Sequence, residues 1–542
     1  MRPALTQRWR RADMNPRPEQ PHTSSQETPR ASQPPASSQP PADIRLGIVR
    51  GISYGLFGPP DEFVPQARGL GARLVRAYVY WGQIERTPGQ DDWSVVDTFL
   101  DQLDGTEEVW VTVCSSSSWA TRQPTDFLPP SPAHDLTAYT DFVRRLVTHC
   151  AGRVHYWQCD NEPSNTGLLW AGTAPEYLRQ LKAMYAAVKE VDPTADVVLG
   201  GCGYDVLGGE PGGPAREFFD HLAREGRDYF DVFDVHLYDE PARILDHLAT
   251  ARSLMRAHGY EKPVVVGEYR GPTPFWFPGA MAMITETMMS AFADATEAVT
   301  EAVTEAVTGA PVDLSTAELR ARAGRETPER RAMRALYARP DVPPELAMFL
   351  ADCPPDQAAR RRRMGCRDLV MRNLLALSAG VRRTICWDLA PEVPGRVDHL
   401  TMAHLMYATF PLLDYEGTKL NVRHPEAETF ALLARQLAGA RAVIRRPVPG
   451  RPEVAAFDVD RGAVPPLLVV WDEECDLLDG EDLPARPAEV PWSALDEDSA
   501  VDAVGAVDVF GAAVAVETRP ASVVVPVSVT PVFVSPVAVE GP

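Results

Sequence analysis

The stretch RVHYWQCDNEPS, Arg153–Ser164, opens on aromatic and apolar residues and closes on an Asn, a Glu and a Pro. Its first part has the residue types of a buried β-strand. The carboxylate of Glu162 is thereby set where a strand gives way to a loop. Shortly afterwards, PEYLRQLKAMYAAVKEVDP, Pro175–Pro193, carries its apolar residues at helical spacing and is stopped by a proline. Strand, polar end and helix in this order make one β/α unit.

The same unit recurs on both sides of this stretch. Strand-like runs begin at Ile44, Ala72, Glu107, Arg153, Ala195, Asp228, Lys262 and Val381, and each is followed by a segment of helical spacing. The last of these helices is HPEAETFALLARQLAG, beginning at His424. Near-continuous apolar strands alternating with helices specify a parallel sheet covered on both faces. Eight such units predict a (β/α)8 TIM barrel over residues 44–441. No GxGxxG follows the first strand, which argues against a dinucleotide fold.

The flanking segments read differently. Residues 1–43 are rich in Pro, Ser and Gln and bury too little apolar area to offset their ordering entropy, so a disordered tail is expected there. Between the seventh and eighth strands, residues 275–355 form a helical insertion that includes the four-residue repeat TEAVTEAVTEAVT from Thr296. A four-residue period drifts round a helix instead of holding one face, so the repeat reads as a tolerated expansion. The insertion leaves the C-terminal face of the barrel, where it is expected to form a lid or rim. Residues 442–542 hold short Val-rich runs punctuated by turns and prolines, the pattern of a β-sandwich accessory domain.

Composition narrows the partners. The chain has 542 residues, 45% of them hydrophobic, and a net charge of −22 from 53 Lys and Arg against 75 Asp and Glu. A nucleic-acid binder needs a basic footprint, so no nucleic-acid partner is expected. The eight cysteines are scattered without a CxxC pair, so neither a zinc nor a redox motif is indicated and reduced, buried thiols are expected. No apolar run is long enough to span a membrane. Arg10 and Arg11 are followed by Pro, Gln and Ser instead of an apolar core, so a cytoplasmic location is expected, with Met14 as an alternative start.

In a TIM barrel the polar residues at the C-terminal ends of strands are the catalytic candidates. Strand two ends near Arg76, Tyr78 and Trp81, and strand three runs into Trp119. Strand four ends in Asn161-Glu162-Pro163, strand six in His236 and Tyr238, strand seven in Glu268, and strand eight in Trp387 and Asp388. Glu162 and Glu268, 106 residues and three β/α units apart, would face each other across the barrel mouth. Cleavage of a glycosidic bond uses such a pair, one carboxyl group to protonate the leaving oxygen and the other to attack carbon or activate water. Arg76 is the candidate to keep Glu268 ionised. Trp119 and Trp81 suit either packing or sugar stacking, and Asp234 and Asp388 read as structural. A metal-dependent barrel hydrolase would need His pairs at strand ends, and only His236 sits at one, so no metal and no cofactor are expected.

These motifs resemble clan A of the glycoside hydrolases over about residues 44–440. Asn161-Glu162-Pro163 is similar to the clan's strand-four motif and GEY (Gly267–Tyr269) to its nucleophile strand. GARLVRAYVYWGQIERTPGQDDWSVVD (Gly71–Asp97), HLYD (His236–Asp239) and ICWD (Ile385–Asp388) resemble strands two, six and eight. Within the clan the family 39 enzymes, β-xylosidase and α-L-iduronidase, look closest, and the C-terminal β-sandwich resembles their accessory domain. The resemblance implies a retaining hydrolase acting on a carbohydrate. Glu162 would be the acid/base, Glu268 the nucleophile, and Asn161 a partner of the sugar 2-hydroxyl. Tyr238 would contact the nucleophile, Arg76 would support it, His236 would line the site, and Trp387 would form its floor. Asp160 departs from the family's spelling, which has an apolar residue there; it would either shift the acid's pKa or turn away by strand alternation. A transglycosylase and a non-hydrolytic carbohydrate-binding protein are the alternatives on this fold. The sugar, its linkage and the oligomeric state are left open by the sequence.

Overall fold

The computed structural model describes residues 43–56, 60, 62–293, 327–392, 400–495 and 503–536. The expected disordered tail falls almost wholly outside them, as does the repeat from Thr296.

Eight parallel strands form the central sheet: β1 (Arg45–Val49), β2 (Leu74–Tyr80), β3 (Glu108–Cys114), β4 (Tyr156–Cys159), β5 (Asp196–Val198), β6 (Phe233–Leu237), β7 (Val264–Tyr269) and β8 (Arg383–Cys386). Their order is β5-β4-β3-β2-β1-β8-β7-β6, and parallel bridges Val198–Val232 and Cys202–Val235 close the ring. This is the expected TIM barrel. β5 is shorter than its apolar run because Gly200 and Gly201 bring the backbone hard against its neighbours. A Cβ at Gly200 would lie 2.6 Å from the Tyr177 hydroxyl, and one at Gly201 would collide with the His236 ring.

The two-residue period of each strand sorts its side chains. On β2, Val75, Ala77 and Val79 join the large core beneath the helices, whereas Leu74, Tyr78 and Tyr80 fill the barrel interior with Trp110, Val265 and Ile385. Eight helices cover the outside: α1 (Phe63–Gly69), α2 (Ser94–Leu100), α3 (Leu136–Cys150), α4 (Ala174–Val191), α5 (Pro214–Glu225), α6 (Ile244–Arg256), α7 (Pro355–Ser378) and α8 (Pro425–Gln436). α4 starts in a capping box, in which Glu176 Oε2 accepts from the backbone N–H of Thr173 at 2.8 Å. It ends at Val191, two residues before Pro193, because the residue before a proline is pushed out of helical geometry.

The described part of the insertion contains helices Pro278–Ala293 and Pro328–Tyr337. They share a small apolar cluster with Trp276, Phe349 and Met364, and with Leu400 and Leu405 from the segment after β8. Glu329 Oε1 accepts from the Met402 N–H at 2.8 Å, which ties the insertion to that segment.

The C-terminal residues form two antiparallel sheets. One has five strands in the order Ala442–Arg446, Val454–Asp460, Leu467–Asp472, Val532–Pro536 and Val504–Asp508. The other has three, Arg486–Pro491, Ser522–Val527 and Glu517–Arg519. Two strands of the five-stranded sheet, Val454–Asp460 and Leu467–Asp472, are buried on both faces. Ala456, Leu468, Val470 and Val534 meet Val490, Val523 and Val525 of the small sheet. Ala455, Phe457, Val469 and Trp471 point the other way and join the same core as the barrel helices. Thr429 Oγ1 of α8 donates to Val509 O at 2.9 Å, and Arg367 Nε of α7 donates to Thr530 Oγ1 at 2.9 Å, adding polar ties across this junction.

All eight cysteines are free thiols, six of them buried. Among the described residues no helix is long and apolar enough to cross a membrane.

Phe457 stacks on Trp471 with ring centroids 4.7 Å apart in the core shared by barrel and sandwich. Phe457→Ala is expected to cost about 3–5 kcal/mol. Urea unfolding should show one transition for the whole chain at a lower midpoint. Separate transitions, with that of the barrel unmoved, would contradict a shared core.

Candidate active site

Arg76 lies at the centre of the barrel with its side chain fully buried. A buried guanidinium is tolerable only when its N–H groups are satisfied. Nε donates to Thr112 Oγ1 at 3.0 Å, and Nη1 to Gly267 O at 2.9 Å and Glu268 Oε1 at 3.0 Å. Nη2 faces the Tyr78 hydroxyl at 2.8 Å, Gln158 Oε1 at 2.7 Å and Asn161 Oδ1 at 2.9 Å. One cation therefore gathers residues of β2, β3, β4 and β7 and the loop after β4.

Glu268, on β7, is held by two further donors. The Tyr78 hydroxyl donates to Oε1 at 2.7 Å and the Tyr238 hydroxyl to Oε2 at 2.7 Å. Burial pushes both phenols well above their ordinary pKa, so they stay protonated donors. Tyr238 is itself packed: its ring stacks on Phe410 at 6.0 Å, and Tyr407 stands edge-on at 6.4 Å.

Glu162 follows the end of β4 with φ +37°, and Asp160 has φ +50°. Two left-handed residues in three break the strand's alternation and re-aim the side chains beyond Cys159. The carboxylate of Asp160 accepts from the Ser115 N–H at 2.8 Å, from Ser115 Oγ at 2.9 Å and from Gln180 Nε2 of α4 at 3.1 Å. Burial raises its pKa to about 7 against the pull of these hydrogen bonds. Strand alternation alone would aim Asp160 inward with Gln158; the left-handed backbone takes it to Ser115 and α4 instead.

His236, on β6, bridges the carboxyl groups. Nδ1 is 2.7 Å from Glu162 Oε1 and 3.3 Å from Glu268 Oε2, and Nε2 is 3.1 Å from Asp234 Oδ2. Burial opposes its charge, but the carboxylates of Glu268 and Asp234 and the hydrogen bond to Glu162 outweigh it and raise its pKa to about 10. Burial raises the pKa of Glu162, with His236 pulling the other way.

Glu162, His236 and Glu268 each place one potential ligand atom within 4.8 Å of the others. Both ring nitrogens of His236 face carboxylate oxygens, so the ring is engaged on both edges within the cluster. The arrangement sets two carboxyl groups with different partners on either side of a short gap.

The structure thus brings together Arg76, Asn161, Glu162, His236, Tyr238 and Glu268. Trp387 stands beside them, partly exposed, with its ring edge-on to Tyr78 at 6.3 Å. Trp119 has other contacts. Its indole N–H donates to Glu85 O at 2.8 Å, and its ring stands edge-on to Trp81 at 5.6 Å. Sequence reasoning did not assign Gln158 a place in the cluster, gave Tyr78 no contact with Glu268, and set Asp234 aside. All three lie on the inward phase of their strands; Tyr78 and Asp234 are two residues from Arg76 and His236, and Gln158 is four before Glu162, so an even spacing is the signal that marks them.

No protein-family model matches the sequence, and no curated protein matches it. Solved structures do resemble it. A family 39 glycoside hydrolase from the gut symbiont Bacteroides cellulosilyticus WH2 superposes with a TM-score of 0.56 at 12% identity, covering 91% of this chain and 81% of that one. A family 51 α-L-arabinofuranosidase from Bifidobacterium longum gives 0.52 at 12% identity, with 92% and 97% covered. A family 39 β-xylosidase from Caulobacter crescentus gives 0.50 at 13% identity, with 92% and 97% covered. The chain shares its fold with these clan A glycoside hydrolases.

Proposed function

We propose that this protein is a retaining glycoside hydrolase that cleaves O-glycosidic bonds by double displacement. The observation that carries the reading is the approach of Glu162, after β4, and Glu268, on β7, which have one oxygen of each within 4.8 Å and Nδ1 of His236 against both. So close an approach is in keeping with a retaining pair, whose carboxyl groups stand about 5–5.5 Å apart, against about 6.5–9.5 Å where a water must fit between them. The fold shared with structures named as glycoside hydrolases supports the same reading.

In this mechanism Glu268 is the nucleophile. Arg76 and two phenol hydroxyls donate to its carboxyl oxygens and aim it. Glu162 is the acid/base, and burial keeps its proton on at a higher pH than an exposed carboxyl group would. Arg76 occupies the Asn161 oxygen, so that side chain offers its amide hydrogens to a sugar hydroxyl. The partly exposed indole of Trp387 is the floor on which a sugar ring stacks.

A panel of aryl β-glycosides (xyloside, glucoside, galactoside, mannoside, arabinoside) tests the activity. Glu162→Ala should lower kcat/KM on the preferred member by about 10²–10⁴-fold, the range of general acid–base catalysis, and Glu268→Ala by at least as much. Azide should rescue each in part, with opposite product anomers. Near-normal turnover in either variant defeats the assignment.

The wild-type pH profile should have an alkaline limb set by Glu162, because the acid must be protonated to act. Activity falls as pH rises through its raised pKa. Glu162→Gln, measured on a substrate with an activated leaving group, should lose that limb; an unchanged limb assigns it elsewhere.

Arg76→Lys keeps a positive charge but lacks the fork of donors. It is expected to destabilise the fold by about 1–3 kcal/mol, the cost of leaving buried acceptors unpaired, and to lower kcat more than it raises KM. A variant with wild-type Tm would show that the hydrogen-bonded fork is not needed.

A further inference from the structure

We propose that Asp234 and His236 form a positioning pair that holds one fixed positive charge between Glu162 and Glu268, serving whichever carboxylate is ionised at each stage of the reaction. The proposal rests on the retaining mechanism above for its role in turnover, but the charged pair itself is independent of it.

The chemistry sets the requirement. In the first step a Glu268 oxygen bonds to the anomeric carbon, the bond from that carbon to the leaving oxygen breaks, and the proton on Glu162 passes to the leaving oxygen. Glu268 is then a neutral ester and Glu162 a carboxylate. In the second step a water oxygen bonds to the anomeric carbon, its proton passes to Glu162, and the ester bond breaks to restore the Glu268 carboxylate. The two carboxyl groups carry one negative charge throughout, and that charge changes place twice per turnover. A cation bonded to only one of them would stabilise one stage at the expense of the next.

His236 is built to serve both. Its Nδ1 is hydrogen-bonded to Glu162 Oε1 at 2.7 Å and lies 3.3 Å from Glu268 Oε2 as an ion-pair contact, so one edge of the ring faces both sites of charge. Asp234 holds the opposite edge of the ring through Nε2 at 3.1 Å. Asp234 is itself rigidly placed. Its Oδ1 accepts from the Gly267 N–H at 2.6 Å, its Oδ2 accepts from Gln158 Nε2 at 2.7 Å, and Gly267 has no room for a Cβ beside the carboxylate. Gly201 closes on the ring from β5's side, again with no space for a side chain.

The other titratable groups facing this cluster are Arg76 and Tyr78 from β2, Cys202 and Asp205 after β5, Tyr238 after β6 and Tyr407 from the segment after β8. Burial keeps the phenols and the thiol protonated, and Arg76 is a permanent cation. Arg76 and His236 thus face the carboxyl groups of Asp234, Glu162 and Glu268, with Asp205 further out toward solvent.

Histidine-selective ¹⁵N labelling of the full chain tests this without any need for turnover, with the His236 resonances assigned from a His236→Gln sample. Wild type should show both ring nitrogens protonated at pH 8. Glu268→Gln mimics the esterified nucleophile and Glu162→Gln the protonated acid, and His236 should stay protonated at pH 8 in both. Asp234→Asn should lower the midpoint of its titration by about 2 pH units and reduce kcat at least tenfold with KM changed less than threefold. A neutral imidazole at pH 8 in wild type or in either glutamine variant overturns the proposal, as does an unmoved midpoint in Asp234→Asn. Should Asp234→Asn fail to fold, the first three samples decide. Loss of the glycosidase reading would appear separately, as a protonated His236 in a protein that turns over no glycoside.

Discussion

A guanidinium at the centre of a barrel has no water to bond, and Arg76 must find every acceptor it needs among neighbouring strands. It does so across β2, β3, β4 and β7, and that requirement sets the site. Thr112, Gln158, Asn161, Gly267 and Glu268 can satisfy it only if their strands keep register with one another. The cation in turn makes it possible to bury Glu268, because a buried carboxyl group is tolerable only when paired and hydrogen-bonded. Stability and chemistry therefore depend on the same set of bonds.

Electrostatic balance extends outward from that cation. His236 faces Asp234, Glu162 and Glu268, and phenol hydroxyls donate to both oxygens of Glu268. The environments of the two glutamates differ in kind. Glu268 is bonded to a permanent cation and two hydroxyls, whereas Glu162 is bonded to the histidine and raised by burial. Separation of two carboxyl groups by environment is how one of them stays ionised while the other keeps its proton. The segment after β8, braced by the insertion through Glu329 and Leu405, places Tyr407 and Phe410 against Tyr238. Segments far from the carboxylates thus shape their surroundings.

Much of this was legible in the chain because strand periodicity and strand-end position are local properties. The eight alternations, the Asn161-Glu162-Pro163 ending and the lone Glu268 needed no knowledge of contacts. Other features came only from packing. The sequence left Trp119 between packing and sugar stacking; in the structure its indole N–H goes to Glu85 and its ring stands against Trp81. For Asp160 the sequence offered a shifted acid or a side chain turned away; the left-handed backbone at 160 and 162 turns it to Ser115 and α4, and a dihedral of that sign is not written in an Asp or a Glu. Gln158, Tyr78 and Asp234 are ordinary strand residues until their partners on other strands are known. The junction between barrel and sandwich also escapes a linear reading. Both phases of Val454–Asp460 and Leu467–Asp472 are apolar, and only packing reveals that the second phase meets α7, α8 and the rest of the barrel core.

The sequence by itself determined the succession of elements, the closing of the barrel after eight units and the placement of two glutamates at strand ends. Each follows from short-range periodicity and from the rule that a parallel barrel presents its strand ends on one face. Only the tertiary structure decided how far apart the carboxyl groups stand, which donors hold each of them, and that one histidine lies between them. Those are distances between residues up to 192 positions apart in the chain. They are set by the simultaneous satisfaction of buried charges, a condition that no local stretch of sequence contains.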